Sequence, residues 1–211
     1  MADYFLALEA ELFERRLRPA LAESRRRRSF EPARRLCVDL LPAARTYARR
    51  FHVADEPLPA AVAAGLPFDR AVWRALAGEL LLYAAAEIPE LQTAEETLTR
   101  LLAAGVDGDA DAPPERWSPI RQAHHGSRYL TFGTATYRPG HAAFNALDDV
   151  SRLAAYLAGQ RPETWTVDDL AGDAADRADE LEHVREWFPA LADLYRRCAE
   201  RERVLVIETI Y

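Results

Sequence analysis

The stretch DRAVWRALAGELLLYAAAEI, residues 69–88, is the most apolar helical segment of the chain. Its apolar side chains, from Val72 to Ala86, cover nearly every face of a helix, a pattern typical of a helix surrounded by other elements. Asp69 is placed to cap the first turn, and Pro89 is placed to end the helix. We therefore expect this helix to lie at the centre of a mainly α-helical fold.

Helical periodicity continues on both sides of this segment. Apolar residues at steps of three and four predict helices over residues 4–28, 32–51, 93–104, 142–157 and 173–198, and Thr166 can cap one more. Prolines at positions 19, 42 and 189 are expected to kink or interrupt these helices. Residues 52–67, rich in proline and glycine, are expected to form a connector. The pattern predicts a single helical domain, residues 1–211, of about six or seven helices, with a basic N-terminal helical lobe (1–52) and a helical body (68–211).

Two segments have the composition of β-strands. Residues 204–211, VLVIETIY, are β-branched, apolar and too short for an independent helix. Residues 129–137 have a comparable composition, and a strand needs a partner to hydrogen-bond. We therefore predict that these two segments pair as a minor two-stranded β element.

Charge is distributed unevenly along the 211 residues. All 27 basic residues are arginine and none is lysine, a bias that suggests a GC-rich bacterial genome, and the net charge is −7. Residues 15–50 hold twelve arginines against three acidic residues, so this segment carries +9 and the remainder −16. The run Arg25–Arg28 is either a solvated helix end or an arm that contacts nucleic acid. Because the acidic remainder repels phosphates, we expect no tight binding of DNA.

The sequence indicates neither export nor a membrane span. No apolar run approaches the roughly 18 residues of a membrane helix, and the N-terminus carries acidic residues where a secretory signal carries basic ones. Cys37 and Cys198 lie far apart and outside any C-x-x-C motif, so we expect both to be reduced and buried. These features predict a soluble, cytoplasmic protein.

Residues 120–156, IRQAHHGSRYLTFGTATYRPGHAAFNALDDVSRLAAY, contain three of the five histidines. Imidazoles titrate near neutral pH, and a carboxylate in the apolar central helix can be tuned by burial for acid–base chemistry. Five side chains are therefore candidate catalytic residues: His124, His125, His141, Glu79 and Glu87. The alternative is that the histidines are ordinary loop residues and that the glutamates pair with arginines.

The same stretch contains four candidate ligand-binding residues: Arg128, Tyr129, Arg138 and Asn145. The turns Gly-Ser-Arg and Arg-Pro-Gly can cradle an anion with backbone amides and guanidinium groups. No metal site is predicted. Glu180 and His183 form one Glu-x-x-His unit where a di-metal bundle needs two, and the acidic residues 107–111 lack the glycine and glutamate that complete a calcium loop.

These residue types complete no motif whose spacing fixes a reaction, a cofactor or a partner. The sequence favours a binding or interaction protein that presents a His-, Gly- and Tyr-rich cleft to an unknown protein or small-molecule ligand. Two alternatives stay open, a small metal-dependent or acid–base hydrolase that uses the same cleft and a nucleic-acid-associated protein that uses the arginine-rich lobe. Histidines that converge with a buried carboxylate would favour the hydrolase, whereas an uncovered face of arginines would favour the nucleic-acid class.

Overall fold

The computed structural model describes residues 2–49, 52–53, 56–102, 112–137, 142–170 and 174–210. The strands are β1 (Ala2–Glu9), β2 (His52–Val53), β3 (Glu56–Pro57), β4 (Glu90–Gln92), β5 (Arg128–Tyr129), β6 (Thr131–Phe132), β7 (Ala135–Thr136), β8 (Ala142–Asn145) and β9 (Arg203–Ile210). The helices are α1 (Ala10–Leu12), α2 (Arg18–Arg27), α3 (Glu31–Leu40), α4 (Thr46–Arg49), α5 (Leu58–Ala64), α6 (Arg70–Ala84), α7 (Glu95–Leu102), α8 (Pro119–His125), α9 (Leu147–Ala158) and α10 (Ala174–Glu200). A π-helical segment, Phe13–Leu17, joins α1 to α2, and 3-10 turns cover Leu41–Ala43, Pro114–Arg116, Pro162–Thr164 and Val167–Asp169.

The fold is mostly helical, as predicted, but it contains more β-structure than a minor two-stranded element. Among the described residues, five strands form one sheet in the order β4-β1-β9-β8-β5, while β2 pairs with β3 and β6 with β7. The C-terminal strand was predicted correctly, but its predicted partner was wrong. β9 pairs antiparallel with β8, which places Ala142 opposite Glu208 and Asn145 opposite Leu205, whereas β6 and β7 form a separate hairpin within residues 129–137.

The first residues form a strand rather than the start of the predicted helix. In β1, Phe5, Leu6, Ala7 and Leu8 are all buried. A strand that is covered on both faces does not alternate apolar and polar residues, so its sequence lacks the usual two-residue period. The apolar spacing of Phe5, Leu8 and Leu12 therefore imitates a helix, and helical backbone begins only at Ala10.

Three further boundaries differ from the prediction. Residues 142–145 are strand β8, and the helix predicted from 142 begins at Leu147. The predicted connector 52–67 contains α5 and the short strands β2 and β3. Helix α10 runs through Pro189 without interruption. The break predicted near Pro42 is confirmed, since α3 gives way there to a 3-10 turn.

The chain divides into two compact units. Unit 1 comprises Met1–Phe5, Glu90–Tyr129 and Gly140–Tyr211, and unit 2 comprises Leu6–Pro89 and Leu130–Pro139. The predicted single domain, with its lobe 1–52 and body 68–211, stays a prediction. In the described part of the chain, no helix has the length and apolar character needed to cross a bilayer.

The core of unit 2 is built on α6, as its sequence predicts. Leu76, Ala77, Leu80 and Leu81 are completely buried, and α6 packs against α3 and α5. The Asp69 carboxylate accepts hydrogen bonds from the backbone amides of Ala71 and Val72, which satisfies the first turn of the helix.

The core of unit 1 is built on β9 and β8. Val204, Leu205, Val206 and Ile207 are consecutive and buried, so both faces of β9 are covered. Helices α8, α9 and α10 contact this strand, and α9 packs along α10. This packing fixes the position of α8, which carries the candidates His124 and His125, and of β5, which carries Arg128 and Tyr129.

Candidate functional site

The junction between α8 and β5 depends on Gly126. This residue ends α8 with a φ of +81°, and a Cβ atom there would lie 2.7 Å from the Ala143 Cβ and 2.8 Å from the Phe144 nitrogen. A side chain would therefore strain the backbone and collide with β8. At its other end, α8 begins with Ser118, whose hydroxyl accepts a hydrogen bond from the Arg121 amide. The local sequence thus holds α8 and the first residues of β5 tightly against β8.

Asn145 ties this junction together. Its side-chain Oδ1 accepts a hydrogen bond from the Ser127 amide at 2.8 Å, and its Nδ2 donates to the Gln122 carbonyl at 3.0 Å. Nδ2 also donates to the Tyr195 hydroxyl, which in turn donates to the Ala123 carbonyl, both at 2.7 Å. Asn145 is completely buried. Its side-chain amide therefore connects β8 to α8, to the residue before β5 and to α10 through hydrogen bonds within the protein.

His124 and His125 converge on one carboxylate, that of Asp3, which is 1% exposed. His124 Nδ1 lies 3.1 Å from Asp3 Oδ2, and His125 Nδ1 lies 3.5 Å from Asp3 Oδ1. On its other side, His125 Nε2 lies 3.1 Å from Glu95 Oε1. We call these four residues, Asp3, Glu95, His124 and His125, the buried charge network.

The network carries a protonated imidazole between two carboxylates. Burial alone would lower the pKa of His125, but hydrogen bonds to Asp3 and Glu95 raise it to about 9. Burial alone would raise the pKa of Asp3, but hydrogen bonds from His124 and His125 lower it to about 2. For Glu95 the hydrogen bond from His125 likewise outweighs burial and lowers the pKa. At neutral pH the paired charges therefore stabilise one another.

The network has little access to solvent. His124 is completely buried, and its Nε2 has no hydrogen-bond partner among the described residues. The ring of Phe5 meets His124 edge to face at 6.4 Å, and the ring of Trp117 meets His125 in the same way at 6.1 Å. His124 and Asp3 are paired as in a catalytic dyad. The Nε2 atom of His124, which would have to act on a substrate, is however buried inside the protein.

Unit 1 also contains a cleft of about 490 Å³. It is lined by residues of α8, β5 and α9 and of the 3-10 turn before α8: Glu115, Gln122, Ser127, Arg128, Tyr129, Asp149 and Arg152. Its volume lies within the range of small-molecule sites. Two of the candidate ligand-binding residues, Arg128 and Tyr129, are among the lining residues, and Tyr129 is 45% exposed.

Asp149 organises the charges of the cleft. Its Oδ2 lies 2.9 Å from Arg128 Nε, and its Oδ1 lies 3.2 Å from Arg152 Nη2. Burial would raise the pKa of Asp149, but the Ser127 hydroxyl and the two guanidinium groups lower it. The Ser127 hydroxyl lies beside the carboxylate without reaching hydrogen-bond geometry. One buried carboxylate thus orients two arginines toward the same space.

The remaining candidates lie elsewhere or outside the described residues. Glu79 and Glu87 belong to unit 2. Glu79 is 6% exposed. Burial raises its pKa to about 7, and the smaller opposing effects of the Tyr83 hydroxyl and the Ala60 backbone do not offset this rise. The Glu87 carbonyl accepts a hydrogen bond from the Tyr47 hydroxyl at 2.6 Å. His141, Arg138 and the acidic residues 107–111 lie outside the described residues.

The possible metal ligands do not converge in the part of the chain that the structure describes. No group of three or more His, Cys, Asp or Glu side chains there is arranged to hold a metal ion. His183 instead lies 3.3 Å from the Thr93 hydroxyl, and Glu180 lies 3.5 Å from Arg100. The Glu-x-x-His unit is engaged by other side chains of unit 1.

Sequence reasoning missed four residues that define these sites: Asp3, Glu95, Asp149 and Arg152. Asp3 lay in a segment predicted as helix, and no local pattern links it to histidines that follow more than a hundred residues later. Asp149 and Arg152 are three residues apart on α9, a spacing that predicts neighbouring side chains. That signal could have been found from the sequence.

Comparison with known proteins adds little to this description. No family model and no curated protein matches the sequence. Among solved structures, the chain is similar to YfbM from Escherichia coli, which is described as a protein of unknown function. The match spans 100% of both chains at 8% sequence identity, with a TM-score of 0.47.

Proposed function

We propose that this chain is a cytoplasmic binding protein that holds a small carboxylate-bearing molecule in the cleft between α8, β5 and α9. The observation that carries the proposal is the position of Asp149, which orients the guanidinium groups of Arg128 and Arg152 at one cleft. A fixed guanidinium matches the planar geometry of a carboxylate and can bind it through two parallel hydrogen bonds.

Both arginines keep hydrogen-bond donors for a ligand. Arg128 uses Nε for Asp149 and Nη2 for Asp148, and Arg152 uses Nη2 for Asp149 and the Gln122 side chain. Among the described residues, no acceptor bonds to Nη1 of Arg128 or to Nε and Nη1 of Arg152. The two side chains are 46% and 47% exposed, so these donors are accessible.

The other lining residues complete a site for a small molecule with one charged end. Tyr129 offers a half-exposed ring on which an apolar or aromatic part can lie. Gln122 is buried, and its Nε2 is held by the carbonyls of Pro114 and Trp117, which fixes the Oε1 that contacts Arg152. Such prior ordering lowers the entropic cost of binding.

The geometry supports binding better than the hydrolase alternative. A general base must reach its substrate directly or through one water molecule. His124 is sealed from solvent, and both ring nitrogens of His125 face carboxylates. The cytoplasmic part of the proposal is supported by Cys37 and Cys198, which are both completely buried, as expected for reduced cysteines in a protein core.

Calorimetric titration with a panel of small carboxylates tests the proposal. Benzoate, 4-hydroxybenzoate and succinate are the probes, and benzamide is the uncharged control. We expect at least one carboxylate to bind saturably, benzamide to bind more weakly, and Arg152→Gln to lose about tenfold in affinity, the effect of one charge-assisted hydrogen bond.

The matched control is Arg121→Gln in the same unit. Arg121 stacks on the Trp117 ring at 4.2 Å and does not line the cleft, so its loss should leave binding unchanged. Absence of saturable binding by every carboxylate, or equal losses in the two variants, would contradict the proposal.

A further inference from the structure

Unit 2 contains a second, larger cavity, of about 810 Å³. It is lined by α2 from Pro19 to its C-terminal end, by the start of α6 and by the turn between β6 and β7. Four arginines line it: Arg25, Arg26 and Arg28 at the end of α2, and Arg70 in the first turn of α6. The cavity therefore concentrates positive charge from two helices that are distant in sequence.

The two acidic residues of the lining are already engaged. Glu23 accepts hydrogen bonds from Arg26 and forms an ion pair with Arg27. The Asp69 carboxylate accepts hydrogen bonds from the Ala71 and Val72 amides at 2.7 and 3.1 Å. Both carboxylates keep their charge, so the four arginines and two acidic residues of the lining leave the cavity a net charge of +2.

Three of the arginines have no acidic partner among the described residues: Arg25, Arg28 and Arg70. Arg74, one turn further along α6, has none in this part of the chain either. Burial lowers the pKa of Arg25, and the positive charges of Arg70, Arg74 and Arg28 lower it further. The cluster repels itself, so an anion bound in the cavity would relieve an unfavourable interaction of the unliganded protein.

Aromatic rings hold the central arginine in place. The Arg25 guanidinium lies 5.9 Å from the centroid of the Phe68 ring and 5.5 Å from that of Trp73. The Trp73 Nε1 donates a hydrogen bond to the Leu21 carbonyl at 3.3 Å, which fixes the indole against α2. An arginine held in this way keeps less conformational freedom to lose when it binds an anion.

We propose that this cavity binds a small anion that carries two or more phosphate groups. Guanidinium groups bind phosphate oxygens through paired hydrogen bonds, and three arginines without acidic partners match a ligand of charge −2 or greater. The volume admits a phosphorylated metabolite rather than only a single inorganic ion. The proposal does not rest on the carboxylate site of unit 1.

The arrangement fits a small ligand better than a nucleic acid. The lining arginines face one concave space from two helices, whereas a strand of nucleic acid needs a groove that follows its backbone. Arg27 belongs to the same run of four arginines but does not line the cavity. The remainder of the chain outside residues 15–50 carries −16 and would repel a long polyanion.

Titrations with sodium tripolyphosphate, ATP and fructose 1,6-bisphosphate test the proposal at about 0.15 M salt. We expect at least one probe to bind with a dissociation constant on the order of micromolar and to bind more weakly as salt rises. Tighter binding of tripolyphosphate would identify the inorganic anion as the ligand, and tighter binding of either ester would identify a phosphorylated metabolite.

Three variants distinguish binding in the cavity from a nonspecific effect of the positive charge of this region. Arg28→Gln and Arg70→Gln should each lose about tenfold in affinity, whereas Arg27→Gln removes one charge from the same run and should change affinity by less than about twofold. Both lining arginines are exposed, so these variants should keep the melting temperature of the wild type.

Three results would overturn the proposal. These are no saturable binding of any probe, an equal loss in Arg27→Gln and Arg28→Gln, or tighter binding of a single-stranded 20-nucleotide DNA than of all three probes. Arg152→Gln should leave phosphate binding unchanged, so failure of the carboxylate site and failure of this cavity are distinguishable.

Discussion

The Nδ1 atom of His124 and the Oδ2 atom of Asp3 lie 3.1 Å apart, although 121 residues separate them in the chain. Asp3 is held at the start of β1, and His124 lies in the last turn of α8. His125 joins the same carboxylate and continues to Glu95 on α7. Three segments of unit 1 are thus connected through one buried carboxylate.

We predict that Asp3→Asn destabilises the protein by about 3 kcal/mol, because it leaves a protonated imidazole buried with only one carboxylate. Urea denaturation at pH 6 measures this effect. The control is Asp148→Asn, whose side chain is 73% exposed in its pair with Arg128, and which should cost less than about 1 kcal/mol. Similar unfolding free energies for the two variants would show that the buried charge network contributes little.

The same network predicts a pH dependence of stability. The pKa of His125 is raised from 6.5 to about 9, so its contribution is complete below about pH 6.5 and is lost as pH rises through 9. The pKa of Asp3 is lowered from 3.8 to about 2, so its contribution is present above about pH 3.8 and is lost as pH falls through 2. Stabilisation by the network should therefore be greatest between about pH 4 and 6.5.

His125→Gln tests this window. The difference in unfolding free energy between wild type and variant should be on the order of 3 kcal/mol larger at pH 6 than at pH 9.5, from the shift of His125. Taking the difference cancels groups that titrate independently of His125, Glu79 among them. A difference that is constant from pH 6 to 9.5 would mean that His125 is not charged in the folded protein.

Glu79 should have a different pH dependence. Its pKa is raised from 4.5 to about 7 by burial, so the folded protein binds more protons than the unfolded chain between these values. Stability contributed by this group is complete below about pH 4.5 and is lost as pH rises through 7, where the buried carboxylate becomes charged.

Glu79→Gln replaces the protonated acid with a neutral group of similar shape. We predict that the variant equals the wild type near pH 4.5 and becomes up to about 3 kcal/mol more stable by pH 8. Thermal melts across this range measure the difference. A variant that is less stable than the wild type at pH 8 would indicate that the charged carboxylate has a stabilising partner.

Local sequence signals were sufficient for the start and the core of α6, but the helix ends at Ala84 rather than at the predicted Ile88. Its apolar pattern, its cap at Asp69 and its buried Leu80 all depend on residues within one helix, and the structure confirms each of them. The strands were harder to predict, because β1 and β8 are defined by the strands they pair with and are buried on both faces. Without a two-residue alternation, Ala142–Asn145 was grouped with the helix that follows it.

For the candidate sites too, local features could be predicted from the sequence, whereas contacts between distant residues could not. The histidine pair was found from composition, but its partners Asp3 and Glu95 come from other elements of the sheet and helices, and no spacing rule connects them. The arginine run Arg25–Arg28 was visible in the sequence. The proposed role of this run in binding an anion depends on Arg70, which is distant in sequence, and on a cavity that forms only when the chain folds.

Gly126 should be the most sensitive position of the cleft. Alanine there would adopt a φ of +81° and place its Cβ 2.7 Å from the Ala143 Cβ and 2.8 Å from a backbone nitrogen of β8. With ψ at 154° this backbone conformation is essentially restricted to glycine and costs alanine about 1–3 kcal/mol. The overpacking adds about 1–3 kcal/mol, so we expect a total loss of about 2–6 kcal/mol in unfolding free energy.

The matched control is Gly65→Ala, because a Cβ at Gly65 meets no atom within 4 Å. That variant should lie within about 1 kcal/mol of the wild type or be slightly more stable, since alanine restricts the unfolded chain. Because Ser127 and Arg128 follow Gly126 directly, a folded Gly126→Ala protein should also bind the carboxylate probes more weakly, while its phosphate binding in unit 2 is preserved. If Gly126→Ala keeps both the unfolding free energy and the carboxylate affinity of the wild type, the close approach of α8 and β8 does not set the shape of the cleft.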